Sequence, residues 1–119
     1  MKIKYFFRNP AFPILIINGK DIFGAYSVAE LQNIISKNDF SKEKYYKIID
    51  STKEGWAYYP EQCVISPITS KKYYFKKELI ELFNNSNQIQ RNNLKTISER
   101  IQYKNFSDIL EMIIDRLHN

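Results

Sequence analysis

The 119-residue chain is 44% hydrophobic, 15% aromatic and 26% charged, with a formal charge of +5. That share of apolar surface can offset the entropy of ordering the backbone, which excludes a disordered chain, and the length suits one domain, 1–119. The positive surplus is mild and spread over both halves, so it permits nucleic-acid contact without arguing for it.

At the N-terminus, Lys2–Phe7 sets Ile3, Tyr5 and Phe7 against Lys2, Lys4 and Phe6, a period-two pattern that predicts a first strand. Arg8, Asn9 and Pro10 interrupt the apolar start, so no secretory leader is expected. The chain turns through Asn9–Pro13, because proline fixes φ and restricts its predecessor. Ile14–Ile17 reads as a central strand buried on both faces. Asn18-Gly19 is a hairpin signal, with Asp21–Tyr26 as the return strand.

Ser27-Val28-Ala29-Glu30 has the form of a capping box. The helix it opens places Val28, Leu31, Ile34 and Ile35 on one face and ends near Lys37–Asn38. Lys44–Phe75 then holds six of the nine tyrosines, the single tryptophan and the single cysteine. Its runs Tyr45–Asp50, Trp56–Tyr59 and Cys63–Ile68 predict three strands separated by turns. Lys76–Phe83 predicts a second helix with Leu79, Leu82 and Phe83 inward. A helix–loop–helix pair is expected over 88–119, its last helix starting near Ser107 and burying Ile109, Leu110, Ile113, Ile114 and Leu117. The sum is an α+β fold: a mostly antiparallel sheet of five or six strands in a body 1–85, about four helices, and a helical tail 88–119.

Candidate chemistry is sparse. His118 is the one histidine and is penultimate, where fraying would defeat proton transfer. One Cys and one His make no metal cluster, and Cys63 reads as a small buried hydrophobe in a strand. Glu54 and Glu61 sit in turns and read as solvated surface acids. No glycine-rich phosphate loop or nucleophile elbow is present. These readings predict a protein that is not an enzyme and needs no cofactor. With no apolar run near the roughly 20 residues that span a bilayer, and one unpaired cysteine, cytoplasmic residence without membrane contact is expected.

Two surfaces stand out. Trp56, Tyr58 and Tyr59 beside two turns exceed what a thin sheet readily hides, and such residues are enriched at interfaces. Together with Glu54 and Glu61 they are the expected partner-binding residues. Lys71-Lys72-Tyr73-Tyr74-Phe75-Lys76-Lys77 interleaves cations and rings, as a nucleic-acid module would. The alternative is an edge strand guarded by lysines, with Tyr73 and Phe75 facing the core.

Phe12–Gly19, Ile48–Trp56 and Ile65–Thr69 together resemble small bacterial immunity proteins of polymorphic toxin and contact-dependent growth inhibition systems. The resemblance covers about residues 1–85. It implies a protein that binds the C-terminal domain of a cognate toxin, often a nuclease, and blocks its active site. Inhibitors of nucleases are commonly acidic, to match a basic groove, whereas this chain is +5. Asp39, Glu43, Asp50, Glu54 and Glu61 are the expected local acidic patch.

Overall fold

The computed structural model describes residues 2–70, 73–101 and 104–118. Six strands and four helices follow one another as β1 (Lys4–Tyr5), β2 (Ile14–Asn18), β3 (Asp21–Ala25), α1 (Val28–Lys37), β4 (Tyr46–Ile49), β5 (Gly55–Tyr59), β6 (Val64–Pro67), α2 (Lys76–Asn84), α3 (Asn87–Arg91) and α4 (Phe106–His118). The strands form one sheet in the order β1-β6-β5-β4-β2-β3. The β1–β6 pair is parallel and the other four pairs are antiparallel, which makes the expected α+β fold.

Local chemistry sets the strand ends. The first strand stops at Tyr5 because Phe7 takes a left-handed φ of 69° and the Arg8 N–H turns back to the Phe6 carbonyl at 2.8 Å. Asn18 pairs with Asp21, so the hairpin turn is Gly19-Lys20, one residue later than the Asn-Gly signal. Gly19 carries its positive φ of 64°, where a side chain is strained.

The alternation of side chains divides the core into two layers. On one face, Leu31 and Ile35 of α1 and Phe40 pack with Ile14, Ile16, Ile48, Trp56, Tyr58 and Ile65. The Ser27 hydroxyl caps α1 by accepting from the Glu30 N–H at 3.2 Å. The Glu30 carboxylate reaches back one residue further than expected, to the Tyr26 N–H at 2.7 Å. Val28 is exposed, because the buried stripe of α1 runs through Leu31 and Ile35.

On the other face, α2 and α4 cover Leu15, Ile22 and Ile49. Leu79, Ile80 and Phe83 are the buried residues of α2, with Leu82 at the margin. The tail is the expected helix–loop–helix, with a short first helix and a long loop. After the five-residue α3, the chain from Asn92 to Ile101 is irregular and is held by polar contacts. Asn84 accepts from the Ile97 N–H at 2.9 Å and donates to the Ile97 carbonyl at 2.8 Å, which seats Ile97 in the core. The Asn105 side chain accepts from the Asp108 N–H at 2.9 Å and so starts α4. Leu117 is only partly buried.

The open edge of β3 is sealed by the tail. The Ile22 N–H donates to Gln88 Oε1 at 3.1 Å, and His118 Nε2 lies 2.7 Å from the Gly24 carbonyl. The His118 ring also meets Tyr26 edge-on at 5.5 Å, so this residue is held and not frayed as expected. The Tyr26 hydroxyl donates to the Asp115 carboxylate, which together with burial pushes the phenol up to about 12. These contacts remove an unpaired strand edge from solvent.

Close approach of α4 to β3 requires glycine at position 24. A Cβ there would sit 2.6 Å from Ile114 Cγ1 and 2.8 Å from Ile114 Cγ2, in the buried core. Gly24→Ala is therefore expected to lower the unfolding free energy by about 1–3 kcal/mol, read from the urea midpoint. Ile114→Ala is expected to cost less in the Gly24→Ala background than alone, because it removes the clashing atoms.

Candidate functional site

Three of the five expected contact residues are buried: Glu54 is 8% exposed, Trp56 0% and Tyr58 2%. Strand register explains this. Tyr46 pairs with Tyr58 and Ile48 with Trp56, so both rings of β5 point into the layer under α1. Aromatics near turns are visible in the sequence; the depth of that layer is not. The Tyr58 phenol is pushed up to about 12 by burial and by the neighbouring Cys63. Cys63 is a half-buried turn residue with φ of 55°, outside the strand expected to hold it.

Glu54 and Trp56 belong to a polar knot centred on Asp50, which is 1% exposed. One Asp50 oxygen accepts from the Ala11 N–H at 3.1 Å and the Trp56 indole N–H at 2.8 Å. The other accepts from the Thr52 N–H and hydroxyl and from the Glu54 N–H, at 2.9, 2.7 and 3.0 Å. Arg8 then grips Glu54 through two bonds of 2.7 and 2.5 Å, and its guanidinium carbon lies 5.0 Å from the Trp56 ring centre. The Glu54 hydrogen bonds raise the Arg8 pKa further. Asp50 and Glu54 are thus lost to the expected acidic patch, and Asp39, Glu43 and Glu61 remain exposed. Asp39 is held below the usual carboxylate range by the Ser41 hydroxyl and N–H.

The accessible site lies on the face covered by α2 and α4, beyond the residues they bury. Those helices pack on β2, β3 and the end of β4, and their core includes no residue of β1, β5 or β6. On that face Lys4 pairs with Val64, and Val64 with Tyr59. Tyr45 precedes the Tyr46–Tyr58 pair and so stands opposite Tyr59, with ring centres 5.7 Å apart. A shallow open depression of about 350 Å³ is lined by Phe6, Lys44, Tyr59, Gln62, Val64 and Ser66. A second, of about 490 Å³, shares Lys44 and runs past Tyr45 and Lys47 to Asn18.

At the rim stand Phe6 and Phe7, edge-on at 6.4 Å; Phe7 is 92% exposed. Of the expected contact set, half-buried Tyr59 lines this surface, and exposed Glu61 adjoins Gln62 beside it. Phe6, Phe7 and Tyr45 were missed because their pattern reads equally well as inward strand residues. The Asn-Pro pair just after Phe7 was the available signal that the strand had ended.

In the 71–77 stretch, Lys71 and Lys72 lie outside the described residues. Tyr73 and Phe75 are exposed and Tyr74 is buried, the reverse of the expected inward pair. The cause is a backbone pairing: Tyr73 bridges to Glu54 and the Tyr74 N–H donates to the Lys53 carbonyl at 2.8 Å, placing the Tyr74 ring in the α2 layer. Burial raises its phenol pKa. Lys76 donates to the Lys104 carbonyl at 2.9 Å, which ties it to the loop before α4.

Among the described residues, no three His, Cys, Asp or Glu side chains come together to share a metal ion. Nor is any helix among them long and apolar enough to cross a membrane. Compared with protein-family models, curated proteins and solved structures, the chain matches none. The knot has its own stability test: Asp50→Ala leaves five donors without their acceptor. The expected loss is about 3 kcal/mol or more, by urea denaturation, against about 1 kcal/mol for Thr52→Ala. Equal costs would show that the carboxylate is not the centre of the network.

Proposed function

We propose that this chain is an immunity protein that binds the C-terminal domain of a cognate polymorphic or contact-dependent inhibition toxin, a nuclease in the leading form of the reading. It neutralises that domain by covering its active site, and performs no catalysis of its own. The motifs Phe12–Gly19, Ile48–Trp56 and Ile65–Thr69, through their resemblance to immunity proteins, support the reading. The observation that carries it is Phe7, a 92% exposed phenylalanine in a left-handed backbone conformation.

A bulky residue there costs about 1–3 kcal/mol of strain and gains no burial in the free protein. A partner pocket that takes the ring accounts for its presence. Next to it, Phe6, Tyr45 and Tyr59 supply the rigid amphipathic rings that dominate interface energies. The aromatic anchors thus move from the expected Trp56 and Tyr58 to this rim, while Tyr59 and Glu61 stay in the proposed contact set.

A second reading, nucleic-acid binding through 71–77, draws on the exposure of Tyr73 and Phe75 beside Lys77. Phosphate binding weakens steeply with salt, so titration of a 16-nucleotide oligo(dT) at two salt concentrations separates the two.

The direct test uses the toxin domain that this reading expects to be encoded beside this gene. Phe7→Ala is expected to weaken the complex about 10–100-fold by calorimetry, while leaving the unfolding midpoint unchanged. Unchanged affinity in both Phe7→Ala and Tyr59→Ala would remove this surface from the reading.

A further inference from the structure

The chemistry of the depressions says what kind of partner face fits them, given the immunity reading on which this step rests. Tyr45, Tyr59, Val64 and Phe6 give the surface an apolar floor and rim. Lys4 and Lys47 stand on the same sheet face, Lys44 lines both depressions, and all three are exposed. Among the described residues none of them is in an ion pair, whereas Lys42, just before this strand, is paired with Asp39 at 3.8 Å. The acids near them are Glu43, which lines the larger depression, and Glu61, next to Gln62. The balance is positive, and it sits where the rings are.

We infer that the face of the partner domain seated on this surface is acidic: carboxylates surrounding an apolar insertion, not a basic nucleic-acid groove; this keeps the capture of a toxin domain and replaces the nuclease form of the reading. A groove that binds phosphates carries Lys and Arg, and apposing it to three unpaired lysines would set like charges against each other. Carboxylates opposite Lys4, Lys44 and Lys47 steer the encounter, and the aromatic rim then holds the complex. The two contributions fall on different rate constants. Exposed rim charges act chiefly on association and desolvated anchors on dissociation.

The experiment measures association and dissociation rates by surface plasmon resonance. The analyte is the purified C-terminal domain of the neighbouring toxin gene, run at low and high salt against the full immunity chain. The triple variant Lys4→Glu, Lys44→Glu, Lys47→Glu is expected to slow association about 10–100-fold at low salt. Its dissociation should change less than about threefold, and high salt should close the gap. Phe7→Ala is expected to speed dissociation instead. Faster association in the triple variant would overturn the acidic face, as would an unchanged rate with Phe7→Ala still weakening binding; in that last case the immunity reading stands. No binding of the toxin domain to the unmodified chain would overturn both. A 16-nucleotide oligo(dT) that binds the unmodified chain and not the triple variant would replace the polypeptide partner with a single strand stacked on Tyr45 and Tyr59. Circular dichroism of each variant checks that the sheet is intact.

Discussion

The carboxylate of Asp50 is the constraint on which the architecture turns. It lies at the end of β4, fully enclosed, and gathers donors from the loop before β2, from the turn that follows it and from the indole of β5. A charge in that position is tolerable only because its lone pairs are all engaged. The consequence is geometric. Ala11 is tied to the β4–β5 turn, Ser51 N–H bonds to the Ala11 carbonyl at 3.0 Å, and Arg8 is drawn across Trp56 onto Glu54. The N-terminal loop is thereby anchored from Arg8 onward.

That anchoring leaves Phe6 and Phe7 outside. Between β1, fixed to the Cys63 and Ile65 carbonyls by the Lys4 and Phe6 N–H groups, and Arg8, fixed to Glu54, the chain must reverse within two residues. It does so by placing Phe7 in the left-handed region with its ring in solvent. The buried knot and the exposed knob are thus two ends of one arrangement. Rigid mounting lowers the entropy lost when such a ring enters a partner's pocket, which is why a strained, well-held aromatic serves recognition better than a mobile one.

The legible parts of the fold were those where one period or one cap decides the matter. β2 and β3, the capped α1, the three strands of the aromatic stretch, α2 and α4 all appear within a residue or two of where patterning and turn residues place them. The irregular chain before α4 was not legible, because it is held by Asn84 and by packing of Ile97, and neither leaves a periodic trace. The proposed contact residues were the least legible. Trp56 and Tyr59 have the same local setting, a ring on one strand between turns. Only the sheet order, which buries one face of β5 under α1 and leaves Tyr59 on the other, separates them. Glu54 likewise reads as a solvated turn acid until Arg8, distant in sequence, is brought to it.

The central claim is that recognition uses the rim of Phe6 and Phe7 together with the sheet face beyond α2 and α4 around Tyr45 and Tyr59. Amide hydrogen exchange, with and without the toxin domain that the proposal expects as partner, tests it most directly. The account predicts new protection over residues 5–8, 43–47 and 59–64, with α1 and α4 unchanged. Protection confined to α1, α4 or the 73–77 stretch would contradict it.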